Sequence, residues 1–356
     1  MRVMVVGCGA LGNEVLKNLV LLGVEHLVVV DFDVVEQTNL TRSVLFRKGD
    51  IGRPKVDVVT ERIKELNPDV DVLPIQGDIA YDVGLGLIRS MDVIVGCVDS
   101  RWARYCIQRL CLRVGKTWVD GGIYMLEGTA RTFVPGCSCY ACSLGTEGLQ
   151  HLRRRMPCSN IIRRREAEGH APTTPIVASV IGAVQAQEAM RIASPQALDL
   201  PSVKPERMFY YEGASLTARI LNYEAWDDDC PLHDQWQIVR DGMQCSVSLD
   251  TPIQDAIPYR AEGEWALILN TPFVDYIQNR QSDQRHSVML PAHKVQEYVE
   301  THPQLCQYPL SAFYQHEYSE IDSTFPHPHL TLRQLGIPEH DILRFRTPEG
   351  YSYVEL

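Results

Sequence analysis

The chain opens on an apolar run, Arg2 to Val6, that breaks into glycines at positions 7, 9 and 12, after which Leu11, Val15, Leu19 and Leu22 recur at helical spacing. A strand, a glycine turn and a helix are predicted in that order. A second apolar run, Leu27 to Val30, stops at Asp31, which gives the start of a right-handed βαβ unit in a parallel sheet. Another strand is predicted at Asp92-Val-Ile-Val-Gly-Cys97-Val-Asp99. Thr174 and Pro175 open a predicted helix from Ile176 to Ile192, the threonine as N-cap and the proline at the first helical position. Cys97, Cys106 and Cys111 lie inside apolar patterns and are expected to be packed core thiols. From about residue 240 glycines thin out and prolines and aromatics rise, with alternating strands and short turns. His327 and His329, in a proline-rich loop, are expected to be solvated.

Composition narrows the classes. With 356 residues, 45% hydrophobic and 22% charged, the chain is expected to be a soluble globular protein of two domains. No run reaches the roughly 20 unbroken apolar residues of a membrane span, and Asn13, Glu14, Lys17 and Asn18 interrupt the apolar opening. A formal charge of -11 argues against general nucleic-acid binding, which requires a basic surface. Eleven cysteines, an odd number scattered over the whole length, suit a reducing cytoplasm better than a secreted disulfide framework.

Glycines before a helix let the backbone approach a phosphate, and an acidic residue ending the second strand can bind ribose hydroxyls. These residues alone fit an NAD dehydrogenase equally well. The next stretch separates the two: Asp31-Phe-Asp33-Val-Val-Glu36-Gln-Thr-Asn39-Leu-Thr-Arg42, then Asp50-Ile-Gly52-Arg-Pro-Lys55, a polar series with no role in hydride transfer. It resembles the adenylation domain of the ThiF/MoeB and ubiquitin-activating enzymes, whose pattern is D-x-D-x-V-x-x-x-N-L-x-R followed by D-I-G-x-x-K. Leu66-Asn-Pro68, the strand ending in Asp99 and the segment Gly115 to Gly122 continue the likeness, which covers about residues 1 to 240.

The resemblance implies an α/β fold: a Rossmann-like ThiF/MoeB adenylation domain with a parallel-rich sheet, zinc motif and crossover loop over 1–238, the loop at about 143–173. A small C-terminal α+β domain over 239–356 would follow, faintly similar to a β-grasp or ubiquitin fold, the alternative being an accessory domain for dimer contacts or carrier docking. It implies ATP and Mg2+, with Gly7, Gly9, Gly12 and Asp31 at the nucleotide, Asn39 orienting phosphates, Arg42 and Lys55 contacting them, and Asp99 holding magnesium. For Arg42 and Lys55 the plainer reading is a surface ion pair, and Asp33 and Glu36 could equally cap a turn. Family members commonly carry an N-terminal helix that supplies an arginine to the partner subunit's ATP; here either that arginine comes from elsewhere or the site is assembled differently, and a homodimer is an expectation of the family.

Two close pairs, Cys139-Tyr-Ala-Cys142 and Cys230-Pro-Leu-His233, suit a tetrahedral structural Zn2+, with Cys137 a competing ligand. Between them Cys158 is flanked by the triplets Arg153–Arg155 and Arg163–Arg165. Neighbouring cations favour the thiolate, and the resemblance puts the thioester cysteine in this loop. The alternative is a bystander cysteine beside arginines that bind an acidic partner.

The expected activity is therefore ATP-dependent adenylation of the C-terminus of a ubiquitin-like protein, then transfer to Cys158 as a thioester for hand-off to a conjugating enzyme. A sulfur-carrier adenylyltransferase of the thiamin or molybdopterin type, a peptide-modifying adenylation enzyme and a scaffold without catalysis are the alternatives. Bacterial ubiquitin-like conjugation modules, some tied to phage defence, are similar in size and layout.

Overall fold

The computed structural model describes residues 1–154, 173–194, 204–222, 227–233, 239, 243–244, 247–256 and 265–356. Its contacts divide the chain into two units. The first is built on an eight-stranded sheet of β1 (Arg2–Val6), β2 (His26–Val30), β3 (Asp71–Ile75), β4 (Val93–Gly96), β5 (Trp118–Tyr124), β6 (Glu127–Phe133), β7 (Arg207–Glu212) and β8 (Thr217–Asn222), in the order β3-β2-β1-β4-β5-β6-β7-β8. The five strands from β3 to β5 are parallel and the last three join antiparallel.

Strands β1, β2 and β4 are almost wholly apolar because helices cover them, which is the signature of a buried parallel sheet. Helix α1 (Ala10–Leu21) turns Val15, Leu16 and Leu19 into the core, where each fully buried side chain contributes about 1.5–3 kcal/mol. Helices α2 (Lys55–Leu66), α3 (Leu85–Ser90), α4 (Arg101–Arg113) and α5 (Tyr140–Arg154) follow in the chain. The expected late helix is α6 (Pro175–Ala193); Thr174 Oγ1 accepts the Val177 N–H at 3.3 Å as its cap, and α6 packs on α1, β4, β5 and β6. Cys97, Cys106 and Cys111 are buried, as their patterns require.

The glycine turn is forced by space. Gly7 has φ +97°, and a Cβ there would lie 2.5 Å from the Cys97 carbonyl oxygen; at Gly12 it would lie 1.9 Å from the Gly7 oxygen. A side chain at Gly7 would push apart the ends of β1 and β4, and one at Gly12 would push the start of α1 away from the turn.

The second unit carries a sheet of β9 (Met243–Gln244), β10 (Ala266–Asn279), β11 (Arg285–Pro291), β12 (Phe313–Ile321), β13 (Ile342–Thr347) and β14 (Gly350–Glu355), ordered β11-β10-β13-β14-β9 with β12 also on β10. Two short helices, α7 (Ile253–Ala256) and α8 (Val295–Thr301), contribute Ile253 to one apolar cluster and Val295 and Val299 to another. The register of β10 shifts between Val274 and Tyr276 against both β11 and β12. At this bulge the Asp275 carboxylate accepts from Tyr276 N (2.7 Å) and Tyr318 OH (3.3 Å), and sits 2.9 Å from His316 Nδ1. His327, expected to be solvated, is half-buried with Nε2 3.7 Å from Asp275, because the proline-rich loop folds back over that carboxylate; His329 is exposed.

Residues Tyr81–Leu87 also belong to this second unit. Tyr81 stacks on His293 at 4.3 Å, Leu85 N donates to the buried Asp341 carboxylate at 2.9 Å, and Leu87 N donates to the His340 carbonyl. Asn270 Nδ2 donates to the other Asp341 oxygen at 3.2 Å. Asp341→Ala strands the buried Leu85 amide, and a loss of about 1–3 kcal/mol in unfolding free energy is expected, with faster hydrogen exchange there. Unchanged exchange there would show that the carboxylate does not hold the segment.

Candidate nucleotide site and cysteine cluster

The ends of β1, β2 and β4 bring together the positions that the glycine pattern singled out. Gly7 N donates to Val30 O at 2.8 Å. Both Asp31 oxygens accept backbone amides, Oδ2 from Cys8 N (2.6 Å) and Oδ1 from Asp33 N (2.7 Å), so the carboxylate locks the glycine turn to the chain leaving β2.

The segment after Asp31 is held in the same way. Asn39, 7% exposed, lies in the middle of the short 3-10 turn Gln37–Thr41 and takes the Glu36 N–H on Oδ1 at 2.9 Å. Half-buried Arg42 reaches the Thr38 carbonyl at 3.2 Å. Lys55 opens α2 and is 7% exposed; its ammonium pairs with Asp33 Oδ2 at 2.8 Å and its N–H donates to the Asp33 carbonyl. The ion pair weighed for Lys55 is present, its lysine buried and its Asp33 side chain 26% exposed.

Three contributors were missed by sequence reasoning. Asn13, one of the polar interruptions in the apolar opening, is fully buried: its Nδ2 donates to Cys8 O (2.8 Å) and Gly9 O (3.0 Å), and its Oδ1 accepts Leu45 N (2.8 Å). A polar residue on the inward side of an apolar helix was the available signal. Gln185 of α6, also fully buried, donates to Gly96 O at 2.9 Å at the end of β4. Arg104 of α4 donates to Asp120 Oδ1 (2.9 Å), Val98 O (2.8 Å) and Gly121 O (3.1 Å). Burial pushes the Asp120 carboxyl up, and the Arg104 guanidinium holds it back. Asp99 lies exposed on the turn between Val98 and Ser100, and Ser100 Oγ caps α4 by accepting Trp102 N and Ala103 N.

Cys139, Cys142, Cys230 and His233 converge, with all four ligand atoms within 4.8 Å of one another. The Sγ–Sγ separations of Cys139 to Cys142 and to Cys230 are both 3.6 Å, and Cys142 Sγ lies 3.5 Å from His233 Nε2. Tetrahedral zinc with ordinary bond lengths requires roughly 3.8 Å between sulfurs and roughly 3.5 Å from sulfur to nitrogen, so the set fits that ion. The hydrogen bond from Cys139 brings the Cys230 thiol down to about 6, toward the thiolate that a metal binds. Cys137 is not among the four. Cys158 and residues 155–172, hence most of the crossover loop, lie outside the described residues.

A parallel-rich sheet with a glycine turn and an acidic strand end is a Rossmann-like fold, and this one carries a three-cysteine, one-histidine cluster. The chain belongs to the ThiF family, which it matches over residues 1–232. It is 32% identical over 254 residues to the SAMP-activating enzyme E1 of Haloferax volcanii, covering 70% of this chain and 88% of that protein. It is 36% identical over 149 residues to the NEDD8-activating enzyme E1 catalytic subunit of Schizosaccharomyces pombe, covering 40% of this chain and 33% of the relative. To the adenylyltransferase and sulfurtransferase MOCS3 of Arabidopsis thaliana it is 28% identical over 229 residues, 64% of this chain and 46% of that one. The crystal structure of E. coli MccB with succinimide shares the fold at a TM-score of 0.53 and 22% identity, over 65% of each chain. The protein is thus an enzyme of the ubiquitin-like-activating and adenylyltransferase kind. Among the described residues no helix is long and apolar enough to cross a membrane.

Elemental analysis of protein purified without chelator should find one zinc per chain, and Cys230→Ser should lose it together with thermal stability. A metal-free preparation that melts at the same temperature would contradict the site.

Proposed function

We propose that the chain uses ATP to adenylate the C-terminal carboxylate of a ubiquitin-like protein, and that Cys158 then accepts the acyl group as a thioester for hand-off to a conjugating enzyme. The observation that carries the reading is that the ThiF match runs unbroken from the glycine turn to the cysteine cluster. Relatives named for SAMP, NEDD8 and SUMO activation support a small protein as substrate. A cytoplasmic homodimer is part of the proposal.

In this reaction a carboxylate oxygen bonds to the α-phosphorus and the bond to pyrophosphate breaks. No protein nucleophile is required, so positioning and charge stabilisation do the work. The glycine turn from Gly7 to Gly12 would approach the phosphates, Asp31 would take the ribose, and Asn39 would orient the phosphate chain. Arg42 and Lys55 would oppose the charge that moves onto pyrophosphate, with Lys55 shifting its pairing from Asp33 toward phosphate. Magnesium, which keeps several waters and needs only one or two protein carboxylates, suits an exposed Asp99 and would offset phosphate charge. The activated carbonyl is then open to a thiolate; the new C–S bond expels AMP. Arginines 153–155 and 163–165 would favour the Cys158 thiolate.

Lys55→Ala and Asp99→Ala should each abolish carrier-dependent ATP–pyrophosphate exchange while leaving the protein folded. Exchange at a near wild-type rate in both would remove these assignments. Cys158→Ala should keep exchange but lose the DTT-labile adduct on a non-reducing gel. A wild-type protein that exchanges pyrophosphate without ever forming that adduct is the outcome expected of a sulfur-carrier or peptide adenylyltransferase.

A further inference from the structure

We propose that Tyr140 and Arg104 are positioning residues that join the cysteine cluster to the Asp99 turn, so that metal in the cluster governs the order of the acidic residue at the nucleotide site. The inference rests on the adenylation reading for its consequence in function, but its geometry is independent of it.

Tyr140 stands between two ligands, Cys139 and Cys142, and its surroundings leave it little freedom. Its N–H donates to Gln108 Oε1 at 2.9 Å, the same oxygen that accepts the fully buried Trp118 indole at 3.1 Å. Its ring meets Trp118 and Phe133 edge-on, at 6.5 and 6.2 Å, while those two stack on each other at 4.8 Å. The hydroxyl at the end of this wedged ring hydrogen-bonds the Arg104 guanidinium.

Arg104 is fixed on its other sides by Asp120, Gly121 O and Val98 O. Val98 immediately precedes Asp99, and Ser100 immediately follows it and caps the helix that carries Arg104. The Asp99 turn is thus clamped by one guanidinium from the carbonyl before it and by one helix cap after it. Tyr140, joined directly to Cys139 and through Ala141 to Cys142, connects that clamp to atoms whose positions a bound metal would set. A half-buried guanidinium shared among four acceptors cannot drift without breaking several bonds, so displacement of the cluster is passed on rather than absorbed.

The Phe variant separates this role from packing, because Tyr140→Phe keeps the wedge and removes only the hydroxyl. In the full-length zinc-loaded protein, Tyr140→Phe should retain one zinc per chain and its melting temperature. Hydrogen exchange in peptides spanning residues 97–104 should quicken about fivefold, the worth of one hydrogen bond of about 1 kcal/mol. The magnesium concentration for half-maximal ATP binding should rise by a similar factor, more than the rate falls at saturating magnesium. Arg104→Lys, which keeps the charge but not the fork of donors, should behave alike. Removing metal with a chelator should quicken exchange over 97–104 in the wild type and add little in Tyr140→Phe. Wild-type protection in both variants, or chelation effects of equal size in wild type and Tyr140→Phe, would overturn the coupling. If the wild type neither binds magnesium ATP nor exchanges pyrophosphate with any carrier, the adenylation reading fails, and the exchange data still decide the coupling.

Discussion

Everything at the candidate nucleotide site hangs on one carboxylate that accepts two backbone amides. Asp31 fastens Cys8 in the glycine turn and Asp33 in the departing chain with bonds of 2.6 and 2.7 Å. Charge-assisted bonds of this kind are roughly twice as strong as neutral ones. With the turn held on one side and the start of the polar series on the other, Asp33 is directed at Lys55, and Asn13 ties the same turn to Leu45. The polar groups proposed to meet a triphosphate are thereby ordered by a scaffold of short backbone contacts, with little left to the mobility of long side chains.

A second consequence is electrostatic. Lys55 is a buried cation, and a buried charge is tolerated only when it is paired. Asp33 supplies that pairing, which explains why the D-x-D spacing places two carboxylates two residues apart at one strand end. The first serves the backbone and the second serves the lysine.

The sheet and its nucleotide face were legible in the sequence because they rest on local rules. Apolar runs of four or five residues, glycines that no side chain could replace, and a Thr-Pro helix start each act over a few residues. The cysteine cluster was legible because ligand spacing within each pair is short. What escaped was long-range. Nothing near Asn13 in sequence announces that its amide will bridge residues 8 and 45, and nothing near Arg104 reveals Asp120 and the Gly121 carbonyl as partners. His327 was misjudged for the same reason, since its neighbour Asp275 lies on a bulge far away in the chain.

The strap formed by Tyr81–Leu87 gives the chain a long memory. Leu85 and Asp341 are 256 residues apart in sequence, yet one hydrogen bond joins them. At a synthesis rate of roughly 5–20 residues per second, the strap emerges from the ribosome on the order of tens of seconds before its partner exists. Throughout that interval its backbone amides and Tyr81 ring have no permanent seat. The last hundred residues are therefore a folding clock for a segment made near the beginning, and a ribosome that stops short would release a chain with an open seam in its first third.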